Sequence, residues 1–303
     1  MDIYLPIAGQ SVNALFIVLL GFAVGVLSGM FGVGGGFLTT PFLIFYGIPP
    51  TVAVASAATQ ITGASVSGVM VHRRRGGLDL KMGTVMIVGG LFGSIVGAAI
   101  FRLLQSTGQI DVTIGGLYVL ILAWIGFVML KESLQSLGYL RAAAPNKPRP
   151  RHNRWVASLP FRWRFHASGL YISPVAPLAL GFLAGSLTVL LGIGGGFILV
   201  PAMIYLLGMP ARVVIGTSLY MVLAVSAATT MVHAMTTRAV DIVLAGLLLV
   251  GGVVGAQYGA MLTTRLKPDY VRLALSIIIL LVGLRMLLGL AWRPDEIFSI
   301  EYL

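Results

Sequence analysis

Two phrases in this chain carry the residue types for anion chemistry: FGVGGGFLTTPFLIFYGIPP from Phe31 to Pro50, and LGIGGGFILVPAMIYLLGMP from Leu191 to Pro210. Gly34, Gly35 and Gly36, and again Gly194, Gly195 and Gly196, cannot sustain a helix at reasonable cost. They let the backbone take positive φ and approach a ligand closely. Pro41 and Pro201 follow, a residue tolerated only in a first helical turn or at a kink. A short helix starting at each triplet would aim free N–H groups, with its dipole behind them, at one point, and that setting favours an anion. Two such starts would converge on one small anion from opposite sides.

Hydroxyl and amide groups downstream could complete the shell without a permanent charge. Ser56, Thr59 and Gln60 stand at i, i+3 and i+4, one helical face, and Thr217, Ser218 and Tyr220 are their counterparts in the second copy. Interhelical hydrogen bonding is the competing role for such groups in a membrane, and for Ser65, Ser67, Ser226, Thr229 and Thr230 it is preferred. Thr39, just inside the first break, is a further candidate. The second copy has Leu199 there, so the site is asymmetric in its side chains. No carboxylate stands mid-segment; Asp79, Asp111, Asp241 and Asp269 lie at segment edges, so a carboxylate proton relay has no carrier. His72 and His233 match each other and are the candidates for gating or proton movement. Arg285 lies inside the last apolar run, where it could snorkel or contact substrate.

The elements that must position these groups are membrane segments. The chain is 58% hydrophobic and 10% charged, with mean hydropathy +0.98, against about 25% charged residues in soluble domains. Continuous apolar runs fall near 11–31, 36–47, 52–71, 82–104 and 112–130, then 174–191, 196–207, 213–232, 242–262 and 271–290. They predict an all-α polytopic membrane protein; a β-barrel would alternate apolar and polar residues. The first run has no basic flank and reads as a retained span rather than a signal peptide. With no cysteine and four histidines, neither a metal site nor a cofactor is expected, and no nucleophile–base set points to an enzyme. The net charge of +11 reads as positive-inside residues. Residues 133–170 read as a basic cytoplasmic linker on the headgroups, with Trp155 and Trp163 at the interface, and not as a nucleic-acid site.

The two halves align at an offset of 160 from Gly21 and Gly181 through Pro41 and Pro201. Single-residue slips then carry the match to His72 and His233, Asp79 and Asp241, and Gly97 and Gly259. This is an internal repeat: residues 1–132, the linker, and residues 171–303. Five segments per half keep most cations on one side, so the expected fold is about ten membrane segments as two inverted five-segment repeats. Each repeat holds a Gly-rich broken or short helix pair, and 11–31 with 36–47 could form a re-entrant hairpin. The location expected is the inner membrane, with the termini on opposite sides. Gly-rich faces such as Gly93 and Gly97 serve close helix packing and would also suit a homodimer.

The paired phrases, with AVASAATQ after the first and VIGTSLY after the second, resemble the TauE/SafE family of membrane transporters over nearly the whole chain outside the linker. That resemblance implies a secondary transporter or permease for a small sulfur-containing oxyanion, sulfite or an organosulfonate, driven by an ion gradient such as H+. A permease or channel for another small anion, such as a carboxylate, is the alternative.

Overall fold

The computed structural model describes residues 2–31, 34–138, 161–262 and 268–291. Ten helices stand among them: α1 (Ala14–Phe31), α2 (Gly36–Phe45), α3 (Pro50–Arg74), α4 (Leu80–Ser106), α5 (Ile110–Ser136), α6 (Val175–Leu191), α7 (Gly196–Tyr205), α8 (Ala211–Thr236), α9 (Ile242–Leu262) and α10 (Pro268–Ala291). Seven of these are long and apolar enough to cross a membrane, while α2, α6 and α7 are shorter apolar helices. The helix ends follow local rules. Pro50 opens α3 at the position where a missing N–H costs nothing, and His72, Arg73 and Arg74 close it against the negative end of the dipole. The Asp79 carboxylate caps α4 by accepting from the Met82 N–H at 3.0 Å, and Asp241 caps α9 through the Val243 and Leu244 N–H groups, each at 3.1 Å.

Glycine contacts give the packing directions. Gly21, Gly25 and Gly29 of α1 meet Leu248, Gly252 and Ala256 of α9 in ascending order, so these helices run parallel. In the same way Gly89, Gly93 and Gly97 of α4 meet Leu178, Phe182 and Ser186 of α6. The first helix of each half therefore lies along the fourth helix of the other half. At Gly25 a Cβ would lie 2.4 Å from the Gly252 carbonyl oxygen, and at Gly93 one would lie 2.0 Å from that of Phe182. Only glycine permits these approaches. By the same test α3 runs antiparallel to α8 (Gly68 on Leu219, Gly77 on Arg212), and α5 antiparallel to α10 (Gly115 on Leu290, Gly126 on Leu280).

α2 turns back beside α1. Tyr46, just past the end of α2, stacks on Phe16 at 5.1 Å, and its hydroxyl accepts the Asn13 N–H at 3.3 Å. The α1–α2 pair is thus a hairpin that returns to the face where it began. Three full-length helices follow in each half. The start of α1 and the end of α10 consequently lie on one face of the bundle, and the end of α5 lies on the other, here called the connector face.

Two β-hairpins were not foreseen. β1 (Asp2–Leu5) pairs antiparallel with β2 (Gln10–Asn13), and β3 (Trp163–Phe165) with β4 (Leu170–Ile172). Each strand has only three or four residues, too few for a periodic signal. Residues 163–170, assigned from sequence to the connector, form most of the second hairpin. Trp163 is about half exposed there, with the Lys81 ammonium 5.3 Å from its ring. Trp155 and the remainder of the connector over 139–160 lie outside the described residues.

The hairpins are pinned to the helix caps. Asp241 Oδ2 accepts the Ile7 N–H at 2.9 Å and the Ala8 N–H at 3.4 Å. Asp79 Oδ2 accepts the Ser168 N–H at 3.0 Å and its hydroxyl at 2.7 Å. The backbones of the same two aspartates donate to Ser56 Oγ at 3.2 Å and to Thr217 Oγ1 at 3.0 Å. Each half thus grips the cap of the other half's fourth helix, and both carboxylates are buried.

Candidate functional site

The two glycine breaks meet at the centre of the bundle. Gly34 and Gly35 take φ of +87° and +77°, and Gly194 and Gly195 take +74° and +68°. This left-handed backbone turns the chain from α1 into α2 and from α6 into α7, and L side chains rarely adopt it. Gly35 sits against Val24 and Ser28, and Gly195 against Ala184 and Thr188. These contacts place each break about ten residues, roughly 15 Å, along the helix that leads to it. The breaks also touch each other. A Cβ at Gly36 would stand 2.0 Å from the Gly192 carbonyl oxygen.

At each helix start the first N–H groups have no partner within the helix, and the dipole adds positive character. What fills the space between them is apolar. Ile61 and Val222, a matched pair in the repeat, both pack on Gly34 and on Gly194. Phe37 and Phe197, the second residues of α2 and α7, stack at 4.3 Å with their planes 4° apart. All four side chains are essentially inaccessible.

Polar groups surround this plug. Ser28 is 1% exposed, its hydroxyl has no partner, and it lies against Gly35. Its counterpart Thr188 lies against Gly195 and donates to the Ala184 carbonyl at 2.7 Å. The fully buried Tyr118 of α5 places its hydroxyl on the Leu191 carbonyl, with the Gly36 carbonyl 3.5 Å away. One residue of α5 thus touches backbone at both breaks.

Of the side chains predicted from sequence, Thr39 and Gln60 come together behind α2. The Thr39 hydroxyl donates to Gln60 Oε1 at 2.8 Å, and Gln60 Nε2 donates to the Gly21 carbonyl at 3.4 Å. The hydroxyls of Ser56 and Thr217 receive the Asp241 and Asp79 N–H groups. Thr59 points across the α3–α8 seam to Thr230 at 3.5 Å, Ser218 donates to the Ile215 carbonyl at 2.9 Å, and the Tyr220 ring packs on Gly83 of α4.

His233 is held at both nitrogens, with Nε2 3.0 Å from the Val189 carbonyl and Nδ1 3.3 Å from Thr237 Oγ1. Its ring sits edge-on to Phe101 at 4.8 Å. His72, near the far end of α3, has Nε2 buried without a partner. The two histidines stand toward opposite faces rather than at the breaks. Among the described residues no three His, Asp or Glu side chains gather as metal ligands.

Sequence reasoning missed Ser28, Tyr118, Ile61 and Val222. Ser28 had a usable signal, since a hydroxyl recurs at the matched position as Thr188. Tyr118 had none, because nothing in the apolar run of α5 says which neighbour a hydroxyl will reach.

Two lateral cavities flank the centre. One, of about 280 Å³, lies toward the connector face between α5, α7, α8 and α10 and is also lined by Met30, Phe31 and Phe197. The other, of about 260 Å³, lies near the opposite face among the ends of α2 and α10 and the starts of α3 and α5.

Residues 17–286 match the family model described as Sulfite exporter TauE/SafE. The chain is 26% identical over 284 residues to the probable membrane transporter protein YunE of Bacillus subtilis, covering 90% of this chain and 97% of that one. It is 30% identical over 253 residues to a probable membrane transporter protein of Xylella fastidiosa (strain Temecula1), covering 83% and 84%. A probable membrane transporter protein of the archaeon Methanocaldococcus jannaschii, MJ0441, is 22% identical over 286 residues, covering 90% and 94%. No solved structure matches the chain. With a model matched over most of its length and long apolar helices to span a bilayer, the chain belongs to the TauE/SafE family of membrane transporters.

Proposed function

We propose that this transporter moves a small sulfur oxyanion, sulfite or an organosulfonate, across the inner membrane by alternating access, with the paired glycine breaks as the substrate site. The observation that carries this reading is the meeting of two short-helix starts deep in the bundle, with the unpartnered Ser28 hydroxyl against one of them. An oxyanion there would take N–H groups from Gly34–Gly36 and Gly194–Gly196 and the Ser28 hydroxyl. Thr39 and Gln60 brace α2 from behind. In the conformation described, Ile61, Val222 and the Phe37–Phe197 stack fill the space, so substrate must part them. The reading assigns no catalytic chemistry.

The halves are inverted repeats in this reading. Support comes from the reciprocal packing of α1 on α9 and α4 on α6, and from the antiparallel α3–α8 and α5–α10 pairs. The connector face is cytoplasmic, since Arg73, Arg74, Arg75, Lys81, Lys131 and Arg212 gather there. The repeat-matched His72 and His233 are the groups through which a proton gradient would be coupled.

Counterflow in proteoliposomes loaded with sulfite, thiosulfate, ethanesulfonate, sulfate, lactate or chloride tests the reading. Saturable exchange of sulfite or ethanesulfonate in preference to the others is expected. Preference for lactate would move the substrate to the carboxylates, and unsaturable flux would indicate a channel.

A further inference from the structure

Both lateral cavities contain one arginine of α10. Arg272 is in the cavity that Phe197 also lines, and Arg285 is in the cavity near the opposite face. Thirteen residues separate them, about 20 Å along the helix and about 140° around it, so one helix delivers a cation to both chambers. Arg285 is held with its guanidinium 5.4 Å from the ring of Phe45, the last residue of α2. Each arginine therefore shares a chamber with one of the short helices that start at the breaks.

Each chamber also holds a carboxylate of α5, yet among the described residues neither arginine forms an ion pair with one. Glu132 takes the Tyr205 hydroxyl, Asp111 stands in the second cavity, and among the described residues no carboxylate lies within 4.0 Å of either guanidinium. Positive-inside placement explains Arg272 at the connector face. It does not explain Arg285 toward the opposite face. A cation inside an apolar helix is costly unless it faces a water-filled cavity, and such residues mark ion pathways.

We propose that Arg272 and Arg285 are two anion-receiving sites, one at each mouth of the pathway, which take a singly charged sulfonate, hydrogensulfite or carboxylate on its way to or from the breaks. This rests on the anion-transport reading. It adds that α10 supplies the charge selection at both faces.

The chain has no cysteine, so Arg272→Cys and Arg285→Cys can be labelled without altering the background. Vesicles of both orientations are treated with the membrane-impermeant anionic reagent sulfonatoethyl methanethiosulfonate. Arg272→Cys should label only from the connector face and Arg285→Cys only from the opposite face, and ethanesulfonate should slow both reactions. In counterflow, each variant should raise the half-saturation for ethanesulfonate about tenfold on its own side. The cationic aminoethyl reagent should restore it, while the neutral methyl reagent should not, and Arg285→Lys should stay within about threefold of wild type. Labelling without sidedness, no slowing by ethanesulfonate, or equal rescue by the neutral reagent would overturn the proposal. If the wild type moves no anion, the transport reading falls, and the labelling with its competition still decides the two sites.

Discussion

The contact between the breaks makes Gly36→Ala the most informative single change. Gly36 is helical, so alanine adds no backbone strain there and the whole effect is steric. Its Cβ would stand 2.0 Å from the Gly192 carbonyl oxygen and 2.3 Å from Ile61 Cδ1, where ordinary contact begins near 3.4 Å. The two obstacles differ in kind. Ile61 Cδ1 is the end of a flexible side chain and can rotate away. The Gly192 oxygen belongs to a break whose neighbouring carbonyl is held by Tyr118, so α2 and the α6–α7 junction must separate by more than 1 Å. Overpacking of this kind costs about 1–3 kcal/mol, and a backbone obstacle belongs at the upper end. Ile61→Val removes Cδ1 at a cost of about 0.5–1.5 kcal/mol by itself and relieves only the lesser clash. Equilibrium unfolding in mixed micelles should show Gly36→Ala lowering stability by about 3 kcal/mol, with the double variant recovering less than about 1 kcal/mol of it. Full recovery in the double variant would refute the direct backbone contact between the breaks.

Two further changes test how the halves are fastened and how the centre is held. Asp241→Ala removes the acceptor of four N–H groups at a buried cap; hydrogen bonds to charged groups are worth about 1.5–3 kcal/mol each. The same unfolding measurement should show a loss of about 3 kcal/mol or more, with the β1–β2 hairpin newly open to protease. Tyr118→Phe keeps the ring and leaves the Leu191 carbonyl unpaired, so it should cost about 1–3 kcal/mol. It should also change anion exchange rates more than Tyr171→Phe, a control on the exposed face of β4.

Much of the fold was legible because the same glycine and proline punctuation occurs in both halves of the sequence. The matched glycine triplets, each followed by a proline, marked both breaks, and the ten apolar runs became the ten helices. Helical spacing put Ser56, Thr59 and Gln60 on one side of α3 but could not name their neighbours. Ser56 meets Asp241, which is 185 residues away, Gln60 meets Thr39, and Thr59 meets Thr230. Such pairings come from tertiary packing between halves, which no local pattern carries. The same limit hid the apolar plug. Ile61 and Val222 look like any other membrane aliphatics until both breaks are seen to rest on them. Asp79 and Asp241 were placed at segment edges, where a relay was discounted, and they serve there as caps that fasten each half to the other.

The comparison that bears most directly on the breaks as an anion site is the half-saturation for ethanesulfonate in Ser28→Ala and Ser65→Ala, measured by counterflow in matched proteoliposomes. Both serines are buried and unpartnered, and Ser28 is the one seated against a glycine break. A hydrogen bond to a charged ligand is worth about 1.5–3 kcal/mol, at least tenfold in affinity. Ser28→Ala should therefore raise half-saturation about tenfold or more and leave Ser65→Ala near the wild-type value. Equal values in the two variants would contradict an anion held at the paired breaks.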